Sequence, residues 1–166
     1  RNEPGRREPV NVERCVAAAV ELAAHRATAA GAAITVVPIG PDIRAMAEST
    51  RLEQVILNLL VNALDAVGGR PDPLVVVEAS AERNRVVISV SDNGAGVPEA
   101  LRERIAEPFF TTKETGEGLG LGLAISRAII AEYGGTLEFG PREGGGTRFT
   151  VLLPAAPAEA LPEAAE

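Results

Sequence analysis

Residues 51–67, RLEQVILNLLVNALDAV, carry the clearest periodic signal in the chain. Wound at about 100° per residue, the segment gathers Leu52, Val55, Ile56, Leu59, Leu60, Ala63 and Val67 on one broad apolar face. Arg51, Gln54, Asn58, Asn62 and Asp65 form a narrow polar stripe opposite. Asn is a mediocre helix former, because its side chain competes with the backbone for hydrogen bonds. Two of them one turn apart inside a helix therefore ask for a reason. One reason is a polar face satisfied locally. The other is a hard cation, since amide oxygens suit Mg²⁺ held jointly by protein, water and phosphate. The pattern leaves both open, and the choice turns on whether a phosphate site occurs elsewhere.

The rest of the pattern supplies that site's surroundings. Residues 1–8 are polar, with Pro4 and Gly5, and read as a linker from an upstream region. A helix is predicted from Val10 to Ala30, where Val12, Val16, Ala19, Val20 and Ala23 recur at helical spacing and Gly31 ends the run. Ile34, Val36 and Val37 predict a strand stopped by Pro38, and residues 42–47 another. Ser49 is the expected N-cap of the central helix, with Glu53 near its first turn. Gly68, Gly69 and Pro71 close that helix. Residues 74–79 and 85–91 predict a hairpin across 81–84. Pro98 opens a short helix to Ile105, and 107–118 is a long loop. Leu121, Ile125, Ala128 and Ile129 predict a helix ending at Gly134 and Gly135. Residues 136–139 and 147–153 form a second hairpin, and 155–166, mostly Ala, Pro and Glu, are expected to be disordered. The order predicts a two-layer α/β sandwich over 9–154: one mixed, largely antiparallel sheet with about three main helices on one face.

Size and composition narrow this modestly. At 166 residues the chain is one domain with room for a real core. No run of about 18 apolar residues offers a membrane span, and no signal peptide is visible. The sequence starts without Met and reads as part of something longer. A net charge of −7 argues against nucleic acid as a partner, so an anionic ligand must be held by local features. Cys15 is alone, which excludes an internal disulfide; on an Ala-rich helix face it reads as a small core residue. His25 lies on the same helix without an acidic partner pattern and reads as a surface or packing residue.

Three glycine-bearing stretches carry candidate chemistry. Asp92-Asn93-Gly94-Ala95-Gly96 leaves a strand directly. Such a run also makes ordinary turns, but an acid at a strand end can face a pocket while Gly94 and Gly96 let backbone approach a flat ligand. A carboxylate only accepts hydrogen bonds, so Asp92 suits adenine's amine and rejects guanine's carbonyl. Gly116-Glu117-Gly118-Leu119-Gly120-Leu121-Gly122 runs into a helix start. It is neither a Walker loop nor a dinucleotide fingerprint. Its physics is nevertheless that of an anion site: exposed N–H groups in series, and a helix N-terminus worth about half a positive charge. Lys113 lies a few residues upstream and could bring a cation to a terminal phosphate. Gly144-Gly145-Gly146-Thr147 opens the last strand as a tight turn, and the Thr147 hydroxyl could support an adenine-binding acid through water.

Taken in order, these pieces resemble the catalytic, ATP-binding domain of bacterial sensor histidine kinases, which shares the Bergerat-type fold of gyrase and mismatch-repair ATPases. Residues 53–66 look like the N box, 92–96 the G1 box, 107–113 the F box, 118–122 the G2 box, and Gly145-Gly146-Thr147 the last glycine motif. The likeness covers roughly 8–154. Each box is weak alone; all of them in order make a specific signature.

The resemblance implies ATP and Mg²⁺ as cofactors, with Asn62 and Asn58 on the metal. It places Asp92 on the adenine amine with Thr147 in support. It sets Gly118, Leu119, Gly120, Leu121 and Gly122 along the phosphates, with Lys113 an added contact, and makes 107–117 a mobile lid packed through Phe109 or Phe110. It implies transfer of the γ-phosphate to a histidine on a separate dimerisation domain of the same parent kinase. A response regulator acts downstream, in the cytoplasm, whether or not the parent is anchored in the inner membrane. The run TTKETGEGLGLGLAIS is similar to kinases that sense C4-dicarboxylates.

Two departures bear on the chemistry. Hydrolysing relatives carry Glu where this chain has Asn58, and an amide cannot deprotonate water, which favours phosphoryl transfer. Leu119 stands where the family usually has Thr, removing a hydroxyl but leaving the backbone site. Serine kinases of the anti-sigma type share the same boxes and are an alternative, as is a nucleotide-binding module without catalysis.

Overall fold

The computed structural model describes residues 6–101, 103–104 and 122–157. Its elements run β1 (Glu8–Asn11), α1 (Val12–Ala30), β2 (Ala33–Val36), β3 (Arg44–Ala47), α2 (Ser49–Val67), β4 (Leu74–Glu82), β5 (Arg85–Asp92), a single 3-10 turn (Glu99–Leu101), α3 (Gly122–Glu132), β6 (Thr136–Pro141) and β7 (Thr147–Pro154). Five strands form one mixed sheet in the order β2-β4-β5-β7-β6, with β2 parallel to β4 and every other pairing antiparallel. β1 and β3 make a separate antiparallel pair. The predicted two-layer sandwich is the architecture observed.

α2 is the centre of the core. Leu52, Val55, Ile56, Leu59, Leu60, Ala63, Leu64 and Val67 are all buried, facing a sheet that contributes Val75, Val77, Val86, Ile88, Val90, Phe149, Val151 and Leu153. Strand side chains alternate between faces, so this inward set leaves Glu78, Glu138 and Arg148 on the other side of the sheet. α1 packs beside α2 through Cys15, Val16, Ala19, Ala23 and Ala27, small residues that let two helices approach closely. Its N-terminus is capped by Asn11, whose side chain accepts from the Arg14 N–H at 3.0 Å. Gly31 ends it in the left-handed region at φ 67°.

Several boundaries differ from the sequence expectation. The first helix starts at Val12, not Val10, because Glu8–Asn11 pairs with Arg44–Ala47 as β1. Strand pairing across more than thirty residues leaves no mark on local periodicity. The polar start therefore joins the fold before its expected end, and the Arg7 guanidinium donates to the Tyr133 carbonyl. Ser49 is not the N-cap of α2 but its first helical residue. Glu48 occupies the cap without a side-chain bond, because β3 ends at Ala47 and delivers the Glu48 carbonyl to Leu52 N–H at 2.9 Å. β4 and β5 run to a two-residue turn at Arg83 and Asn84, with Arg83 at φ 55°. The described part of the helix expected over 98–105 is only the 3-10 turn. Ala155 and Ala156, expected to begin a disordered tail, bond to the Asn84 and Arg44 carbonyls.

Candidate functional site

α2 sets the frame of the site. Asn58, Asn62 and Ala66 follow one another at intervals of four residues, a single stripe about 12 Å long at 1.5 Å per residue. Different elements meet its two ends. At the first, Gly122 opens α3 against the Asn58 side chain. A Cβ on Gly122 would lie 2.5 Å from Asn58 Oδ1 and 2.6 Å from Nδ2, so any other residue here would displace the Asn58 amide from its present position. Asn58 Nδ2 also donates to Ser126 Oγ at 3.0 Å, one turn further along α3. At the second end, Gly94 is buried against α2, where a Cβ would meet the Ala66 carbonyl at 2.6 Å. Asn62 is half-buried between these two contacts.

Asp92 is the last residue of β5, inside the sheet rather than beyond it. It pairs with Val75 on one side and Thr147 on the other. The side chain is 1% exposed. Burial pushes its carboxyl above the usual range, and the Gly94 and Thr147 backbone N–H groups and the Arg142 and Arg70 charges pull back only in part. The Gly94 N–H donates to Asp92 Oδ1 at 2.8 Å. A buried acid held by two backbone donors keeps a fixed direction, and it retains capacity to accept a further donor. Thr147, 5% exposed, lies directly across the ladder.

The neighbouring glycines close this corner. Gly146, at φ 104°, lies so tightly over the Asp92 carbonyl and the Asn93 Cα that no side chain fits. Gly96 sits against the Gly146 carbonyl at φ 79°. Both line a cavity of about 210 Å³ completed by Ala95, Val97, Phe139, Gly140, Pro141, Arg142 and Gly145. Asn93, a turn residue by sequence, ties the corner down: its Oδ1 accepts from Leu74 N–H and its Nδ2 donates to the Asp72 carbonyl.

Opposite ends of α3 are both fixed to α2. Near its last turn Arg51 pairs with Glu132 at 2.6 Å and lies 5.9 Å from the Tyr133 ring centroid. Toward its start the Asn58–Ser126 bond does the same. The structure thus brings together Asn58, Gly122 and Ser126 at one end, and Asp92, Gly94, Gly96 and Thr147 at the other, with Asn62 on the helix that joins them. Lys113, Gly118, Leu119, Gly120 and Leu121, with the lid expected over 107–117, lie outside the described residues. His25 is exposed on α1. Among the described residues no three His, Cys, Asp or Glu side chains gather as a metal site. The close approach of Gly122 leaves the Asn58 amide at the helix mouth.

A family described as histidine kinase-, DNA gyrase B-, and HSP90-like ATPase matches residues 47–157. The chain belongs to this family. It is 45% identical over 116 residues to the C4-dicarboxylate transport sensor protein DctB of Rhizobium meliloti, covering 68% of this chain and 18% of that protein. The DctB of Pseudomonas aeruginosa is 40% identical over 157 residues, 92% of this chain and 26% of its own length. The chain thus spans about a fifth to a quarter of these relatives. The catalytic domain of histidine kinase ThkA superposes with a TM-score of 0.79 at 32% identity, over 89% of this chain and 95% of that domain. The described fold is that of a histidine-kinase catalytic domain, as the boxes implied.

Sequence reasoning missed Ser126 and Ala66. Neither residue type signals a site; only the packing of α3 and of the β5 end onto α2 brings them into it.

Proposed function

We propose that the chain binds Mg·ATP along the Asn58–Asn62–Ala66 stripe and presents the γ-phosphate to a histidine on a separate dimerisation domain of its parent kinase. The observation that carries this is the contact between Gly122 and the Asn58 amide, which sets the N-terminus of α3 beside two potential metal ligands. Asp92 stands at the far end of the same stripe.

In this reading Asp92 accepts the adenine amine, with Thr147 beside it, and the helix mouth receives the phosphates. Asn62 and Asn58 would hold Mg²⁺ through their amide oxygens. When bound, the ion neutralises phosphate charge and aligns the terminal group. Asn58 has no basic nitrogen or carboxylate, so it gives water no general base. Positioning without such a base favours an acceptor from a partner over hydrolysis. The partner is the phosphohistidine hairpin of the same kinase, with a response regulator as next acceptor in the cytoplasm. The similarity to DctB proteins supports a sensor kinase as parent and speaks against the serine-kinase alternative.

Calorimetry with ATP, with and without Mg²⁺, tests the core of the proposal. Affinity is expected to rise with Mg²⁺, to be lost in Asp92→Asn and Asn62→Asp, and to be far weaker for GTP. Unchanged affinity in both variants would remove the assignment. Radiolabelled ATP should label an added histidine hairpin and leave this chain unlabelled; acid-labile label on His25, lost in His25→Ala, would contradict it.

A further inference from the structure

Ser126 lies four residues after Gly122 and is 3% exposed, on the face of α3 that also buries Ile129 and Ile130. An apolar residue of similar size would fit such a helix face with no polar group to satisfy. A buried hydroxyl there is costly unless it is hydrogen-bonded, and its partner is Asn58 Nδ2 at 3.0 Å. A second polar link between α2 and α3 among the described residues, Arg51 to Glu132, is on the surface with the Glu132 side chain 54% exposed, where ion pairs are weak. The shielded link is therefore the one that relates the Asn58 side chain to the start of α3.

An amide has a donor end and an acceptor end of nearly equal shape, and only the oxygen can ligate a cation. With Nδ2 donating to Ser126, Oδ1 is the end left to accept. Gly122 confines the same amide by lacking a Cβ. We propose that Ser126 is a positioning residue for Asn58: its hydroxyl holds the amide nitrogen against the first turns of α3, so that Oδ1 is presented at the helix mouth to the divalent cation of the nucleotide. This rests on the Mg·ATP reading above and assigns Ser126 no contact of its own with nucleotide or metal.

The test measures ATP affinity by calorimetry, in excess Mg²⁺ and in EDTA, for the wild-type chain, Ser126→Ala, Ser126→Cys and Ser126→Thr, with thermal melts to verify folding. Ser126→Ala should reduce the Mg²⁺ enhancement of affinity about 5- to 10-fold, the worth of one neutral hydrogen bond, and leave the metal-free affinity unchanged. Ser126→Cys, close in volume but a weak acceptor, should fall between. Ser126→Thr, which keeps the hydroxyl, should recover most of the enhancement. Full enhancement in Ser126→Ala, equal loss in Ala and Thr, or an equal fall with and without Mg²⁺ would each overturn the inference. Absence of any Mg²⁺ enhancement in the wild type would instead remove the Mg·ATP reading, and this inference with it.

Discussion

Asp92 carries a buried charge that works against the stability of the fold. Burial raises its pKa, so the folded chain holds that proton more tightly than the unfolded chain. The resulting cost is absent below the unfolded pKa and is complete once pH exceeds the folded pKa. Asp92→Asn removes the buried charge but offers one acceptor oxygen where the carboxylate serves the Gly94 and Thr147 N–H groups. The melting temperature of the variant relative to the wild type should therefore fall as the solution is acidified through the Asp92 titration, because the wild type sheds the cost of its buried charge there. A calorimetric scan across pH checks this, and a difference that stays constant or grows on acidification would contradict it. Gly94→Ala forces a methyl against the Ala66 backbone carbonyl and should cost about 1–3 kcal/mol in urea unfolding. Gly140→Ala is its control, with nothing within 4 Å of the new atom. Cys15 is buried and its thiol is pushed up to about 11, first by burial and then by Glu53. It should therefore resist a thiol reagent at pH 8 until the chain is unfolded.

Among the elements, α1 shows how a local signal and a distant one share a boundary. Asn11 closes β1 through its pairing with Arg44 and caps α1 through its side chain. Asn11→Ala should cost about 1 kcal/mol, measured by chemical denaturation; a loss below a few tenths would mean the cap contributes nothing. α2 was legible because its seven apolar positions recur at 3.6-residue spacing, a pattern that burial alone enforces. Its cap was not, since Ser49 looks like a cap to any local rule while the strand before it decides where helical geometry begins. The same holds for β1: Glu8 reads as linker and Val10 as helix until Ala47 and Ala45 supply partners.

For the whole molecule, a net charge of −7 repels a triphosphate at long range, so binding depends on short-range donors and a counter-ion. ATP affinity without divalent metal should therefore strengthen as salt is raised from low to moderate concentration, because screening weakens the general repulsion. A steep weakening would instead show that basic groups dominate the nucleotide contact. Asn58, Asn62, Asp92 and Thr147 stood out as candidates because amides inside a helix, or an acid and a hydroxyl beside glycines, are residue types out of place. Ser126 and Ala66 were not, because serine and alanine on a helix are unremarkable until something packs on them.

Periodicity, glycine placement and polar residues at apolar-patterned sites are properties of neighbouring residues, so sequence determined the helices, the hairpins, the order of the layers and the identity of the polar groups. Which strand joins which edge, where a cap falls, and which small residue touches an asparagine depend on contacts between segments far apart in the chain. Those were decided by the tertiary structure, when β5 and α3 closed on the two ends of one stripe of α2.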